Sequence, residues 1–216
     1  MRYIESESRV VWSASDLKVA AECEFAWLRA LDARAGRIAA VEEPEDEMLE
    51  RAARLGDRHE EQVLARYRDE LGSDVVEIAR ASSSDAEAMA AALAATMAAL
   101  RDPQARMVFQ AAFSTDEFVG FADFLLREPD GRWRVQDSKL ARRAKVTALM
   151  QLAAYVDQLD RLGIPRSDEV DLLLGDGTTS THAVDDLLPL FFVRRARLRA
   201  LIADRRLDLG AAGEPI

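Results

Sequence analysis

The segment that most constrains this chain is Phe118 to Lys139, where two apolar, β-branched and aromatic runs, FVGFADFLL and RWRVQDSKL, flank the turn sequence EPDGR. Such a pair reads as a β-hairpin. A three-residue loop Pro129-Asp130-Gly131, with Gly131 left-handed, is a common hairpin form and pairs Glu128 with Arg132. Counting back from that pair sets Asp123 opposite Asp137. Alternation along a strand puts Asp123 on the face of Phe121 and Leu125, and Asp137 and Lys139 on the face of Trp133 and Val135. Two acids and a lysine thus fall among apolar neighbours, with opposed Cβ atoms ~4.5–5.5 Å apart.

Facing carboxylates repel unless a cation lies between them. Hard oxygen ligands of this kind suit Mg²⁺ or Mn²⁺. A lysine beside them offers a compact charge for a phosphate or an attacking water. The bland alternative is an edge hairpin with solvated acids, one of them paired to Lys139.

The rest of the chain supplies a frame. Ser13 or Ser15 can cap a helix through LKVAAECEFAWLRALDA, ended by Gly36. After the polar link VEEPEDE, a second helix runs from about 46 to 71 and stops at Gly72. DVVEIA reads as a short strand, and Ser84 or Asp85 opens an Ala-rich helix. MVFQAAF precedes the hairpin as a further strand. A helix from about 144 to 162 follows it, then VDLLLGD as a buried strand with THAV across GDGTTS. Asp185 or Asp186 opens a last helix through LLPLFFVRRARLRALIADRR. The order implies an α/β fold: a mixed sheet flanked by helices, with a helical N-terminal part. The expected division is 1–104, helical and contributing to the main domain, 105–210 as its core, and 211–216 as a tail.

Nearly half of the 216 residues are apolar, enough for one sizeable core. No apolar run reaches the ~20 residues of a membrane span, and no secretory leader is evident, so the expected location is the cytoplasm. Cys23 is the only cysteine, which leaves no internal disulfide or CxxC zinc site. The net charge of −10 is unusual for a nucleic-acid binder. It is unevenly spread, however, with basic runs at 139–145 and 194–206. Only three lysines, Lys18, Lys139 and Lys145, stand against 26 arginines.

G-F-A-D at 120–123, D-S-K at 137–139 and Q-L-A-A-Y at 151–155 together resemble the PD-(D/E)XK nuclease superfamily, and more narrowly its RecB-like branch. The D-S-K-L-A-R-R-A-K stretch, S-A-S-D-L and C-E are similar to bacterial RecB-like nucleases fused to a helicase. Ala122 stands where the superfamily motif carries proline. The resemblance implies a restriction-endonuclease-like core and Mg²⁺- or Mn²⁺-dependent hydrolysis of DNA in repair or recombination. It also implies single-stranded DNA or single-stranded ends as substrate, and a helicase as partner. Asp123, Asp137 and Lys139 would be catalytic, and His59, in G-D-R-H-E, a further metal ligand; a surface histidine in a charged helix is the alternative. Gln151 and Tyr155 would position substrate or Lys139; a partly buried polar pair on an amphipathic helix is the alternative. Arg142, Arg143 and Lys145 could hold phosphates or form a solvated loop. Glu60 reads as a solvated helix residue, with outer contact to the site as the alternative. Trp12, Trp27 and Trp133 read as packing residues. Cys23 stands where several RecB-like nucleases place the first of four ligands of a [4Fe–4S] cluster, which would make this chain the N-terminal part of a longer protein; the alternative is a buried packing cysteine. The competing functional reading is a non-catalytic DNA-binding or scaffolding module of the same fold.

Overall fold

A computed structural model describes residues 1–41, 46–82 and 85–205. The VEEPEDE link in large part, the Ser84 cap, Arg206 and the 211–216 tail lie outside the described residues.

The N-terminal segment opens with a short hairpin, β1 (Arg2–Ile4) and β2 (Arg9–Val11), which sequence reasoning did not anticipate. Ser13 then caps α1 (Ala14–Glu22) in a capping box with Asp16, whose carboxylate accepts the Ser13 N–H at 2.8 Å. The expected single first helix is two. Cys23 is extended (φ −157°, ψ 104°), and α2 (Glu24–Arg34) starts anew. No glycine or proline marks the break. Cys23 Sγ accepts the Ala26 N–H at 3.4 Å and so serves as an N-cap. The turn brings Trp27 back onto α1, where its indole N–H donates to Asp16 at 3.0 Å.

Asp46 caps α3 (Glu47–Leu71), and Gly72 ends it at φ +57°. After β3 (Val75–Glu77), Asp85 caps the alanine-rich α4 (Ala86–Arg101). The strands β4 (Met107–Ser114), β5 (Val119–Arg127) and β6 (Trp133–Lys139) follow. The helix α5 (Val146–Arg161) then crosses to β7 (Glu169–Leu174), and β8 (Thr179–Ala183) leads into α6 (Val184–Asp204). The last helix begins at Val184 rather than at either expected aspartate. Its N-cap is Ala183, and Asp185 and Asp186 lie in the first turn, where negative charge suits the helix dipole.

Six strands form one mixed sheet in the order β3-β4-β5-β6-β7-β8. The β3/β4 and β6/β7 pairs are parallel and the other three antiparallel. Among the described residues, 1–104 therefore contribute three short strands as well as four α-helices, one strand being an edge of the main sheet. The helix α3 packs on one face through Val63 and Leu64 against Met107, Phe124 and Leu173. The main core includes Leu17, Trp27, Leu152, Leu159 and Phe191 from α1, α2, α5 and α6, with Leu125, Val135 and Leu172 of the sheet. Trp12, Trp27 and Trp133 are all buried. Burial of each such large side chain contributes ~1.5–3 kcal/mol, so this face is the main store of stability. It also fixes the strands that carry the polar residues described next.

Candidate active site

The hairpin register follows from its turn. Gly131 has φ +88°, its N–H reaches Glu128 O at 2.9 Å, and Glu128 N–H reaches Arg132 O at 2.8 Å. Pairing runs from Arg127↔Trp133 to Phe124↔Gln136, and the next step sets Asp123 across from Asp137. Their carboxyl groups lie close enough that the charge of Asp137 raises the Asp123 carboxyl. Asp123 Oδ2 also accepts the Ser138 N–H at 3.1 Å. Lys139 Nζ lies 2.7 Å from Asp137 Oδ2. That approach is a charge contact without hydrogen-bond alignment, and the buried oxygen has no other partner.

Burial sets the electrostatics here. It is the largest influence on Asp123 and, with the neighbouring Asp137 charge, pushes its carboxyl up to about 7. Burial also raises Asp137, against the pull of Lys139. For Lys139, burial favours the neutral amine, but the summed charge of Asp137, Asp123 and Glu60 outweighs it and the ammonium is held more firmly than usual. The group is thus an acid pair that shares a proton when nothing else neutralises it, clamped by one persistent cation.

The helix α5 backs this pair. Tyr155 is buried, and burial, then Asp123 and Asp137, push its phenol up, while the Phe121 N–H donates to it. Gly120 makes room for the ring: a Cβ there would lie 3.0 Å from Tyr155 Oη and 3.2 Å from Cε1. One turn earlier, Gln151 lines a cavity of about 200 Å³ together with Lys139, Leu140, Arg143 and Lys145. Gly175 holds the segment after Lys139 in place, since a Cβ there would meet Leu140 O at 2.3 Å. Arg142 points elsewhere in charge terms, toward Asp176 in the β7–β8 turn, whose carboxyl it helps hold low after the Thr178 hydrogen bonds.

The helix α3 crosses the other side of the site. Glu60 accepts from Gln110 Nε2 at 2.6 Å and Arg80 at 3.1 Å. Burial, then Asp123, raise its carboxyl. Gln110 lies across from Asp123 in the β4/β5 register and holds a left-handed φ of +55°, an uncommon strain for a side chain other than glycine or asparagine. Sequence reasoning favoured a solvated Glu60, and the structure corrects this. The available signal was that Glu60 continues the stripe of Val63, Leu64 and Tyr67 at helical spacing. His59 Nε2 is instead 3.0 Å from Leu173 O. Among the described residues no group of three or more His, Cys, Asp or Glu side chains is assembled as a metal shell. Cys23 is exposed, so it is not a buried packing residue, and as the single cysteine of this sequence it cannot form a four-thiolate cluster by itself.

Two facing carboxylates, one with a buried oxygen whose close partner is the Lys139 ammonium rather than an aligned hydrogen-bond donor, fit a small divalent cation. Mg²⁺ is typically held by one or two carboxylates, with waters and substrate phosphates completing its octahedron. A six-stranded mixed sheet flanked by helices, carrying an Asp on one hairpin strand and Asp-x-Lys on the next, defines a restriction-endonuclease-like nuclease fold. A family model for the PD-(D/E)XK nuclease superfamily matches residues 11–174, and the chain belongs to that superfamily. No curated protein matches it. No helix among the described residues is long and apolar enough to cross a membrane.

Proposed function

We propose that this chain is a Mg²⁺- or Mn²⁺-dependent deoxyribonuclease of the RecB-like kind. The observation that carries the reading is the meeting of Asp123 with Asp137, under Lys139, at the buried centre of the hairpin. Asp123 and Asp137 would hold the cation. When bound, it supplies a Lewis acid for the phosphoryl oxygen and a water of lowered pKa. The Lys139 ammonium neutralises charge developing on the scissile phosphate and orients the attacking water. Gln151 holds substrate against Lys139, and Tyr155 fixes the β5 backbone behind the acids. Arg143 contributes a phosphate contact, and Arg142 a weaker one from the rim. Glu60 adds a third carboxylate charge, and His59 is an additional ligand candidate once its imidazole leaves the Leu173 carbonyl. Action on single-stranded DNA or single-stranded ends, in repair or recombination and beside a helicase, is supported by the motif resemblance.

Labelled single- and double-stranded DNA, incubated with Mg²⁺, Mn²⁺ or EDTA, tests this. Cleavage should need the divalent ion and vanish in Asp137→Ala. DNA binding without cleavage under every metal condition would overturn it in favour of a non-catalytic DNA-binding module.

A further inference from the structure

The cavity beside Lys139 has a composition unlike the rest of the molecule. It is lined by Lys18, Lys139, Arg143 and Lys145, and by no acidic residue. All three lysines of a chain with net charge −10 therefore converge on one cavity. Many of the arginines are used differently. Arg68, Arg132, Arg134, Arg161, Arg195, Arg197 and Arg199 all pair with carboxylates, the planar recognition to which a guanidinium is suited. Lys18, Arg143 and Lys145 have no ion pair among the described residues. A cation left without a counter-charge in an acidic protein is available to an anion from outside.

The backbone adds to the same volume. Lys145 is the N-cap of α5 and makes no side-chain cap bond; the Ala148 N–H turns to Lys145 O at 2.9 Å, which leaves the N–H groups of Val146 and Thr147 at the start of a 16-residue helix, with Thr147 and Ala148 lining the cavity. Lys18 joins the lining from α1, more than a hundred residues away in sequence. At about 200 Å³ the cavity is smaller than the ~300–1,000 Å³ that accommodates a drug-sized ligand. It suits one phosphate group and part of a sugar, rather than a chain running through.

We propose that Lys18, Arg143, Lys145 and the N-terminus of α5 form a pocket for the terminal phosphate monoester of a nucleic-acid strand, seated beside Lys139. The proposal rests on the nuclease reading of the adjoining acid pair and adds to it that the chain engages strand ends. A monoester carries −1.5 to −2 charge near pH 7, with a second pKa of ~6, whereas an internal diester carries a single charge. Each Coulomb attraction scales with that charge, so four cations around one small volume favour the terminal group. Arg143, expected only as a general phosphate contact, becomes part of a site for one kind of phosphate.

The test is a binding measurement on the full chain in EDTA, where cleavage does not interfere. Oligothymidylates bearing a 5′-phosphate, a 3′-phosphate or hydroxyl ends are compared at fixed salt, with the hydroxyl-ended strand lengthened to match total charge. One phosphorylated end should bind about tenfold more tightly than the matched hydroxyl strand, ~1.4 kcal/mol. Lys18→Gln and Lys145→Gln, both at exposed positions, should each bring that ratio toward one. Equal affinity for all the strands, or a preference that survives both substitutions, would overturn the pocket. Because binding is read without metal, a chain that prefers phosphorylated ends but never cleaves loses the nuclease reading alone. A chain that cleaves without any end preference loses only this inference.

Discussion

Gln136 and Asp137 are neighbours on β6, face opposite sides of the sheet and are almost equally buried, at 4% and 5% exposure. Their surroundings differ in kind. On the α3 side, Gln136 accepts from Tyr67 Oη at 2.6 Å and donates to Asp171 at 2.8 Å, and Asp171 also accepts from Thr181 at 2.7 Å. That network is closed, with donors matched to acceptors. On the α5 side, Asp137 meets another carboxyl and one ammonium, and one of its oxygens has no aligned donor. Burying an under-satisfied charge is costly. A fold that satisfies Gln136 so well has no packing reason to leave Asp137 so poorly served. The difference separates polar burial used for structure from polar burial held ready for a ligand.

The largest effect that could break this contrast lies in catalysis. Lys139→Ala should reduce cleavage by ~10²–10³-fold or more while leaving Mn²⁺ affinity near normal, as single-turnover assays and Mn²⁺ titration would show. Asp137→Ala should lose the Mn²⁺ affinity itself. Normal turnover in the first variant, or unchanged Mn²⁺ binding in the second, would place the chemistry elsewhere.

Stability should respond with opposite signs on the two sides. Asp171→Ala strands the Gln136 and Thr181 donors and should cost about 1–3 kcal/mol. Asp123→Asn removes one of two confronted acids and should raise the melting temperature in EDTA at pH 8, while abolishing activity. If both substitutions destabilise alike, the site is as well satisfied as the network behind it.

The pH dependence follows from the same imbalance. The folded Asp123 carboxyl lies at about 7, above its ordinary 3.8. For an acid raised on folding, the stabilising contribution is complete below the unfolded pKa and is lost as pH rises through the folded one. In EDTA the melting temperature should therefore fall between pH 5 and 8. Mn²⁺ should flatten that fall, since binding replaces the shared proton. An equal fall in Asp123→Asn would assign it to other groups.

Much of this centre was readable in advance because it is local. A Pro-Asp-Gly loop has few geometries, and period-two alternation carries its register back to Asp123 and Asp137. Gln151 and Tyr155 were legible as one helix face, although only the structure separates a cavity-lining Gln151 from a Tyr155 behind the strand. What escaped depends on tertiary docking. The Cys23 break is set by a side-chain cap and by Trp27 returning to Asp16. The contact of Glu60 with Gln110 needs α3 laid across β4. The cavity needs Lys18 brought from α1 to the end of β6. The three-residue strands β1 and β2 are too short, around the polar ESES, for any alternation to show.

The smallest expected effect concerns two tyrosines that flank the contrasted residues, the half-buried Tyr67 and the buried Tyr155. Tyr67 donates within the closed network, so Tyr67→Phe should leave Gln136 Oε1 short of a donor and cost ~1 kcal/mol. Tyr155 has a second constraint, because its hydroxyl and ring edge occupy the space over Gly120. Gly120→Ala should press on that ring and cost ~1–3 kcal/mol as an overpacked contact. Tyr155→Phe alone gives up the Phe121 N–H bond. In the double variant the hydroxyl that a new Cβ would meet first is gone, so the combined loss should be smaller than the sum of the two single losses. Independent sites add to within ~0.3–0.5 kcal/mol, and denaturant melts of the four proteins resolve a departure larger than that. Additivity would mean that Gly120 does not serve the tyrosine, and that β5 approaches α5 for a reason unrelated to the acid pair.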